Sequence, residues 1–255
     1  MIEKPIIISV VGKGGVGKTM VTTLLAKILS KTHKYKILLI DADPTHPHLS
    51  NMVKMVPTKN LEEVRLDIIK NSSKKEISAD KLAENIDFEV YNTLVETKDF
   101  SLFSIGQPEG PGCFCPSNTL LRKVIESISK DFDLVLIDCE AGMEQINRKV
   151  IKSVDILLIV IDISIRSIET AYSIAKSAKR FTNYKKLGII INKVKGNIDP
   201  ILTKLNDLNL PIFGHVPEDA AIMEFDLNGI PLIEIPENTP SLLALKKLIP
   251  KIILV

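Results

Sequence analysis

At 255 residues the chain is long enough for one large α/β domain with a full core, residues 1–255, and short for two. Its 33 basic and 31 acidic residues leave a net charge of +2, too balanced for the strong field that nucleic-acid binding exploits. The longest apolar run, Ile156 to Ile161, is far below the ~18 residues of a membrane span, Met1-Ile2-Glu3-Lys4 carries no secretory signal, and three cysteines do not make a disulfide framework. The expectation is a cytoplasmic protein with reduced thiols and neither membrane nor nucleic acid as partner.

Ile6 to Val11 reads as a strand and Lys18 to Ser30 as a helix. Between them lies Gly12-Lys13-Gly14-Gly15-Val16-Gly17-Lys18-Thr19, a G-x-x-x-x-G-K-[ST] loop in the strand–loop–helix setting that gives the motif its meaning. Glycines let backbone N–H groups turn around a phosphate, and the helix N-terminus favours negative charge there. Lys18 reaches β- and γ-phosphates and the Thr19 hydroxyl ligates Mg²⁺. The loop predicts a nucleoside triphosphate site.

A second strand, Ile37 to Ile40, runs into Asp41-Ala42-Asp43-Pro44, on the sheet edge where ligands bind. From Thr58 to Lys98 the pattern is ambiguous: Leu61 to Ile69, Ala79 to Ile86 and Phe88 to Val95 each fit a helix or a short strand. Phe100 to Ile105 is a third strand, followed by Gly110-Pro111-Gly112-Cys113-Phe114-Cys115-Pro116 and a helix from Thr119 to Ser129. Residues i and i+2 of an extended chain face one side, so Cys113 and Cys115 can converge on one metal. Zinc asks for four ligands, and two copies of the pair across a two-fold axis supply four thiolates.

Leu134 to Ile137 is a buried strand ending in Asp138, the carboxylate that P-loop enzymes place beside Mg²⁺. Cys139 follows at the strand end and reads as a packed thiol rather than a ligand. Further strands are expected at Ile156 to Ile161, Leu187 to Ile191 and Ile212 to His215. Helices are expected at Ser167 to Arg180, Pro200 to Leu205, Glu218 to Asn228 and Ser241 to Leu248, with Pro250 interrupting the stretch from Ser241 to Val255. Strands alternating with helices predict one doubly wound, mostly parallel sheet covered on both faces, a P-loop NTPase fold.

The string Lys13-Gly14-Gly15-Val16-Gly17-Lys18-Thr19 resembles the deviant P-loop of the MinD, ParA, nitrogenase iron protein and metal-insertion ATPases. That resemblance implies ATP as substrate and a nucleotide-driven, face-to-face homodimer in which Lys13 reaches the partner's nucleotide. It also implies that Asp43 positions the attacking water, that Asp41 supports the metal site, and that Glu140-Ala141-Gly142 forms a switch loop. Asn192 resembles the family's adenine-reading asparagine, and Pro217-Glu218-Asp219 the loop over the base. ATP over GTP follows from the family; Asn192-Lys193-Val194-Lys195 lacks the Asp of the guanine signature.

Together with the P-loop, the G-P-G-C-aromatic-C-P loop and Asp138-Cys139-Glu140-Ala141-Gly142-Met143-Glu144 resemble the CooC-type ATPases of nickel insertion into carbon monoxide dehydrogenase. One departure is His46-Pro47-His48, where small polar residues are expected. The resemblance implies an ATP-hydrolysing metallochaperone holding Ni²⁺ or Zn²⁺ between Cys113 and Cys115 of two subunits and serving a client metalloenzyme. Two other readings stay open. An iron–sulfur electron-transfer ATPase would need a second thiolate several residues beyond Asp138, where Gly142 to Ile146 has no cysteine. A MinD or ParA-type positioning ATPase of the membrane kind would need a terminal amphipathic basic helix, and Ser241 to Val255 carries Lys246, Lys247 and Lys251 among apolar residues.

Overall fold

Strands buried on both faces need continuous apolar runs rather than alternation, and Ile37–Ala42 and Leu134–Cys139 are buried at every position. A computed structural model describes residues 5–43, 48–71, 89–106, 123–140 and 153–253. Its strands are β1 (Ile6–Gly12), β2 (Ile37–Ala42), β3 (Val95–Glu96), β4 (Ser101–Ser104), β5 (Leu134–Cys139), β6 (Ser153–Ile161), β7 (Asn183–Val194) and β8 (Ile212–Pro217). They form one eight-stranded sheet in the order β3-β4-β2-β5-β1-β6-β7-β8. Every pairing is parallel except β3 with β4. The expected doubly wound, mostly parallel sheet is therefore what the chain forms.

Labelled helices are α1 (Lys18–Ser30), α2 (His48–Met52), α3 (Leu61–Asn71), α4 (Ile165–Phe181), α5 (Asp199–Asp207), α6 (Ala220–Leu227) and α7 (Pro240–Ile253). Residues 89–93 and 123–128 are also helical. Two apolar layers lie on the two faces of the sheet. One gathers Leu24, Leu25, Leu39, Leu136, Leu158, Leu242 and Leu245, with α1 and α7. The other gathers Ile40, Ile137, Ile159, Ile168 and Leu205, with α4 and α5.

Several boundaries differ from the expected ones for identifiable reasons. β7 begins at Asn183 rather than Leu187, because the basic stretch before the apolar run still pairs with β6. Lys185 there meets Asp155 at 2.7 Å. α6 begins at Ala220 because the Asp219 carboxylate accepts from the Ala221 N–H as an N-cap. α7 runs through Pro250 to Ile253; the lost N–H falls in its last turn, while Ile252 and Ile253 are buried. In the ambiguous stretch Leu61–Asn71 is helix and Val95–Glu96 a short antiparallel strand, while Ala79 to Ile86 lies outside the described residues.

Candidate nucleotide site

Sheet register assembles the site. Asp41 of β2 and Val10 of β1 are both opposite Asp138 of β5. Alternation then puts the two carboxylates on the same face, the one that α1 covers, since Leu39 and Leu136 two residues earlier belong to the α1 layer. Asp138 is 2% exposed and Asp41 is fully buried. The Thr19 hydroxyl hydrogen-bonds to Asp138, and the Thr22 hydroxyl donates to it at 3.3 Å. Burial, opposed by these hydroxyls and by the charge of Lys18, raises the Asp138 carboxyl to about 6. Burial and then the negative charge of Asp138 raise Asp41 to about 7. Asp41 also accepts from the N–H of Asp43 at 3.3 Å and of Leu49 at 3.1 Å, so it ties down both ends of the loop after β2. Asp43 is half-buried, and its charge bears on both carboxylates.

The P-loop leaves β1 through Gly12, at φ 153°, where a Cβ would lie 2.2 Å from the Val160 carbonyl. Only glycine fits. Gly17, in the left-handed region at φ 91°, is the N-cap of α1 and, as glycine, offers the helix no side-chain cap. The uncapped N–H groups of α1 thus form an anion site. Lys18 donates to the Lys13 carbonyl at 3.4 Å. Lys13 is half-buried and lies near Asp162. Burial pushes the Asp162 carboxyl up, but hydrogen bonds from the Ser164 hydroxyl and N–H and the Lys13 charge outweigh it and hold it below the usual carboxylate range.

A cavity of about 360 Å³ adjoins the loop, lined by Gly17, Asn192, Lys193, Pro217 and Asp219 and walled by Met20, Met52, Ile222, Met223 and Phe225. Asn192 is fully buried; its amide donates to the Val16 carbonyl at 2.8 Å, while its Oδ1 has no hydrogen-bond partner among the described residues. A buried acceptor left open beside an apolar slot suits a donor on a planar base. The Asp219 carboxylate is occupied: it caps α6 and also accepts from the N–H and hydroxyl of Ser241. Its part in the cavity is to shape the wall.

The structure therefore brings together Gly12 to Thr19, Asp41, Asp43, Asp138, Asn192, Pro217 and Asp219. Cys113 and Cys115 lie outside the described residues, as does the switch segment from Ala141 onward. Cys139 faces the layer away from Asp138, beside the Ser9 hydroxyl at 3.2 Å, and burial pushes its thiol up to about 12. The methionine walls were missed in the sequence because Met20 reads there only as a helix position and Met52 and Met223 as isolated apolar residues. Lys193, adjacent to the recognised Asn192, carried no distinct signal.

The model of the CobQ/CobB/MinD/ParA nucleotide binding domain matches residues 7–232. The chain belongs to this family. It is an ATP-binding and ATP-hydrolysing P-loop ATPase. An uncharacterised ATP-binding protein of Methanocaldococcus jannaschii is 37% identical to it, over 97% of this chain and 98% of its own. The carbon monoxide dehydrogenase accessory protein CooC of Rhodospirillum rubrum is 33% identical over 88% of each chain. Among solved structures, the septum site-determining protein MinD of Pyrococcus horikoshii, complexed with Mg-ADP, is similar with a TM-score of 0.69. That likeness covers 97% of this chain and 95% of the other at 23% identity, and it speaks for the fold.

Proposed function

We propose that this ATPase is a metallochaperone that dimerises with nucleotide and passes a metal ion, Ni²⁺ or Zn²⁺, to a client enzyme such as carbon monoxide dehydrogenase. The observation that carries the reading is the likeness to CooC over 88% of the chain, joined to the C-x-C sequence at Cys113 and Cys115. The topology supports it. β4 is parallel to β2, so Ile105 and Gly106 leave the sheet at the edge where Asp41 and the P-loop stand. Gly106 at that edge is the last described residue before the two cysteines in the sequence.

The proposed nucleotide roles rest on the resemblance to the deviant P-loop ATPases, and the placement of Lys18, Thr19, Asp138 and Asn192 supports them. Lys18 and the α1 N-terminus hold the β- and γ-phosphates, Asn192 and the methionine-lined slot hold the base, and Asp43 orients water. Lys13 reaches the partner's phosphates. Mg²⁺ fits the residues present: the Thr19 hydroxyl and Asp138 carboxylate are hard oxygen donors already in contact, and the raised carboxyls of Asp138 and Asp41 mark a site short of positive charge. Bound there, it would supply charge neutralisation to the phosphate oxygens.

A positioning ATPase is the second reading, favoured by the MinD-like fold. Its membrane version needs a free apolar helix face, whereas Leu242, Leu245, Leu248, Ile252 and Ile253 of α7 are buried in the domain. The iron–sulfur reading gains nothing from Cys139, which faces away from the nucleotide as a high-pKa thiol. Metal analysis of protein purified anaerobically tests all three. One Ni²⁺ or Zn²⁺ per two chains is expected, lost in Cys113→Ala or Cys115→Ala while ATP binding persists. About four irons per dimer would reassign the protein to electron transfer, and no metal under reducing conditions would return it to positioning.

A further inference from the structure

Two consecutive residues at the end of β7 hold two consecutive carbonyls of the P-loop. The Asn192 amide donates to the Val16 carbonyl and the Lys193 ammonium to the Gly15 carbonyl, each at 2.8 Å. Asn192 is buried, but Lys193 is exposed and sits in the left-handed region at φ 55°. That conformation is unfavourable for a lysine. It falls where the pairing of β7 with β8 shifts register between Ile191 and Val194, and from that turn the ammonium makes its charge-assisted bond to the phosphate loop.

In a trans peptide the C=O and N–H point in opposite directions. Holding the Gly15 carbonyl toward Lys193 turns the Val16 N–H away from Lys193. Holding the Val16 carbonyl does the same for the Gly17 N–H. These donors run directly into the uncapped N-terminus of α1 at Lys18, and successive inward N–H groups make an anion-binding concavity.

We propose that Lys193 is a positioning residue for the nucleotide phosphates: through the Gly15 carbonyl it sets the P-loop peptide planes before nucleotide arrives. The inference rests on the assignment of Gly12 to Thr19 as the phosphate site. Preorganised donors spare the ligand the cost of ordering the loop. The gain falls on any nucleotide with a β-phosphate and is the same in ground and transition states. Its loss therefore raises KM and leaves kcat.

Lys193→Met keeps the length and apolar stem and removes the donor. In this variant the Kd for Mg-ADP and the KM for Mg-ATP should rise about tenfold, the scale of one charge-assisted hydrogen bond. The turnover number should stay within about twofold, and adenosine, which has no phosphate, should lose much less affinity than ADP. Lys193→Arg should recover most of the affinity. Lys193→Gly, which relieves the backbone but has no donor, should remain weak. Parent-like ADP binding by Lys193→Met or Lys193→Gly overturns the role, as does equal loss of ADP and adenosine binding. Lys18→Ala in the same titration keeps the two assignments apart. If it loses ADP binding while Lys193→Met does not, Lys193 alone is wrong; if it binds ADP like the parent, the phosphate site is misplaced.

Discussion

Asp41 and Asp138 are two acids placed side by side by sheet register, with Asp41 raised to about 7 and Asp138 to about 6. Burial is the leading cause for both, and Asp138 adds repulsion to Asp41. An acid with a raised folded pKa holds its proton more tightly in the folded chain than in the unfolded one. These two groups therefore stabilise the nucleotide-free fold at low pH, and that contribution falls as pH rises from the ordinary carboxylate range, ~4, through the folded values near 6 and 7. Thermal melts of nucleotide-free protein should show this fall between about pH 5 and 7.5. Asp138→Asn removes one titrating group and the repulsion on the other, so its melts should depend less on pH in that window. An unchanged slope in the variant would mean that Asp138 neither titrates in that window nor repels Asp41. Residues of this kind were legible as chemistry in the sequence, because D-x-D-P and the strand ending in Asp138 are local patterns. The coupling was not, since it joins positions far apart that only the parallel pairing of β2 with β5 makes neighbours.

Among the elements, β1, β2, β5 and α1 were legible because continuous apolar runs, a Gly-rich loop and helical spacing all agree there. β7 and α7 were read too short. The charged start of β7 lies where Lys185 finds Asp155 across the strand pair, and the proline of α7 sits where losing one N–H costs little. α7 also bears on the proposed function, because an apolar face packed in the core is not free for a lipid surface. Leu245 is fully buried and Leu243 is 45% exposed. Leu245→Ala should cost about 2–5 kcal/mol of stability, and Leu243→Ala about 0.5 kcal/mol or less, in paired denaturant titrations. Comparable, small effects from both would mean that the helix is not committed to the core and would reopen the membrane reading.

For the molecule as a whole, the sheet gathers the nucleotide site along one edge, and the deviant lysine belongs to that edge. Lys13 stands next to Lys18 in the loop, yet its charge falls on Asp162, beyond β6, while Lys18 bears on Asp138. In the proposed dimer Lys18 works within its own subunit and Lys13 works across a two-fold axis. Under the proposed dimer, Lys13→Gln should bind ATP and ADP nearly as the parent does, because the β-phosphate donors and Lys18 remain. It should nevertheless stay monomeric with ATP. Asp43→Ala should behave oppositely: it keeps Lys18 and Lys13 for the phosphates, loses the orientation of water along with its charge on Asp41 and Asp138, and should accumulate as an ATP-bound dimer that turns over slowly. Light scattering of the parent and both variants, each with ATP and with ADP, separates these outcomes. Dimerisation of Lys13→Gln with ATP to the parent's extent would remove the trans role. ATP hydrolysis by Asp43→Ala at the parent's rate would take water positioning away from the loop after β2.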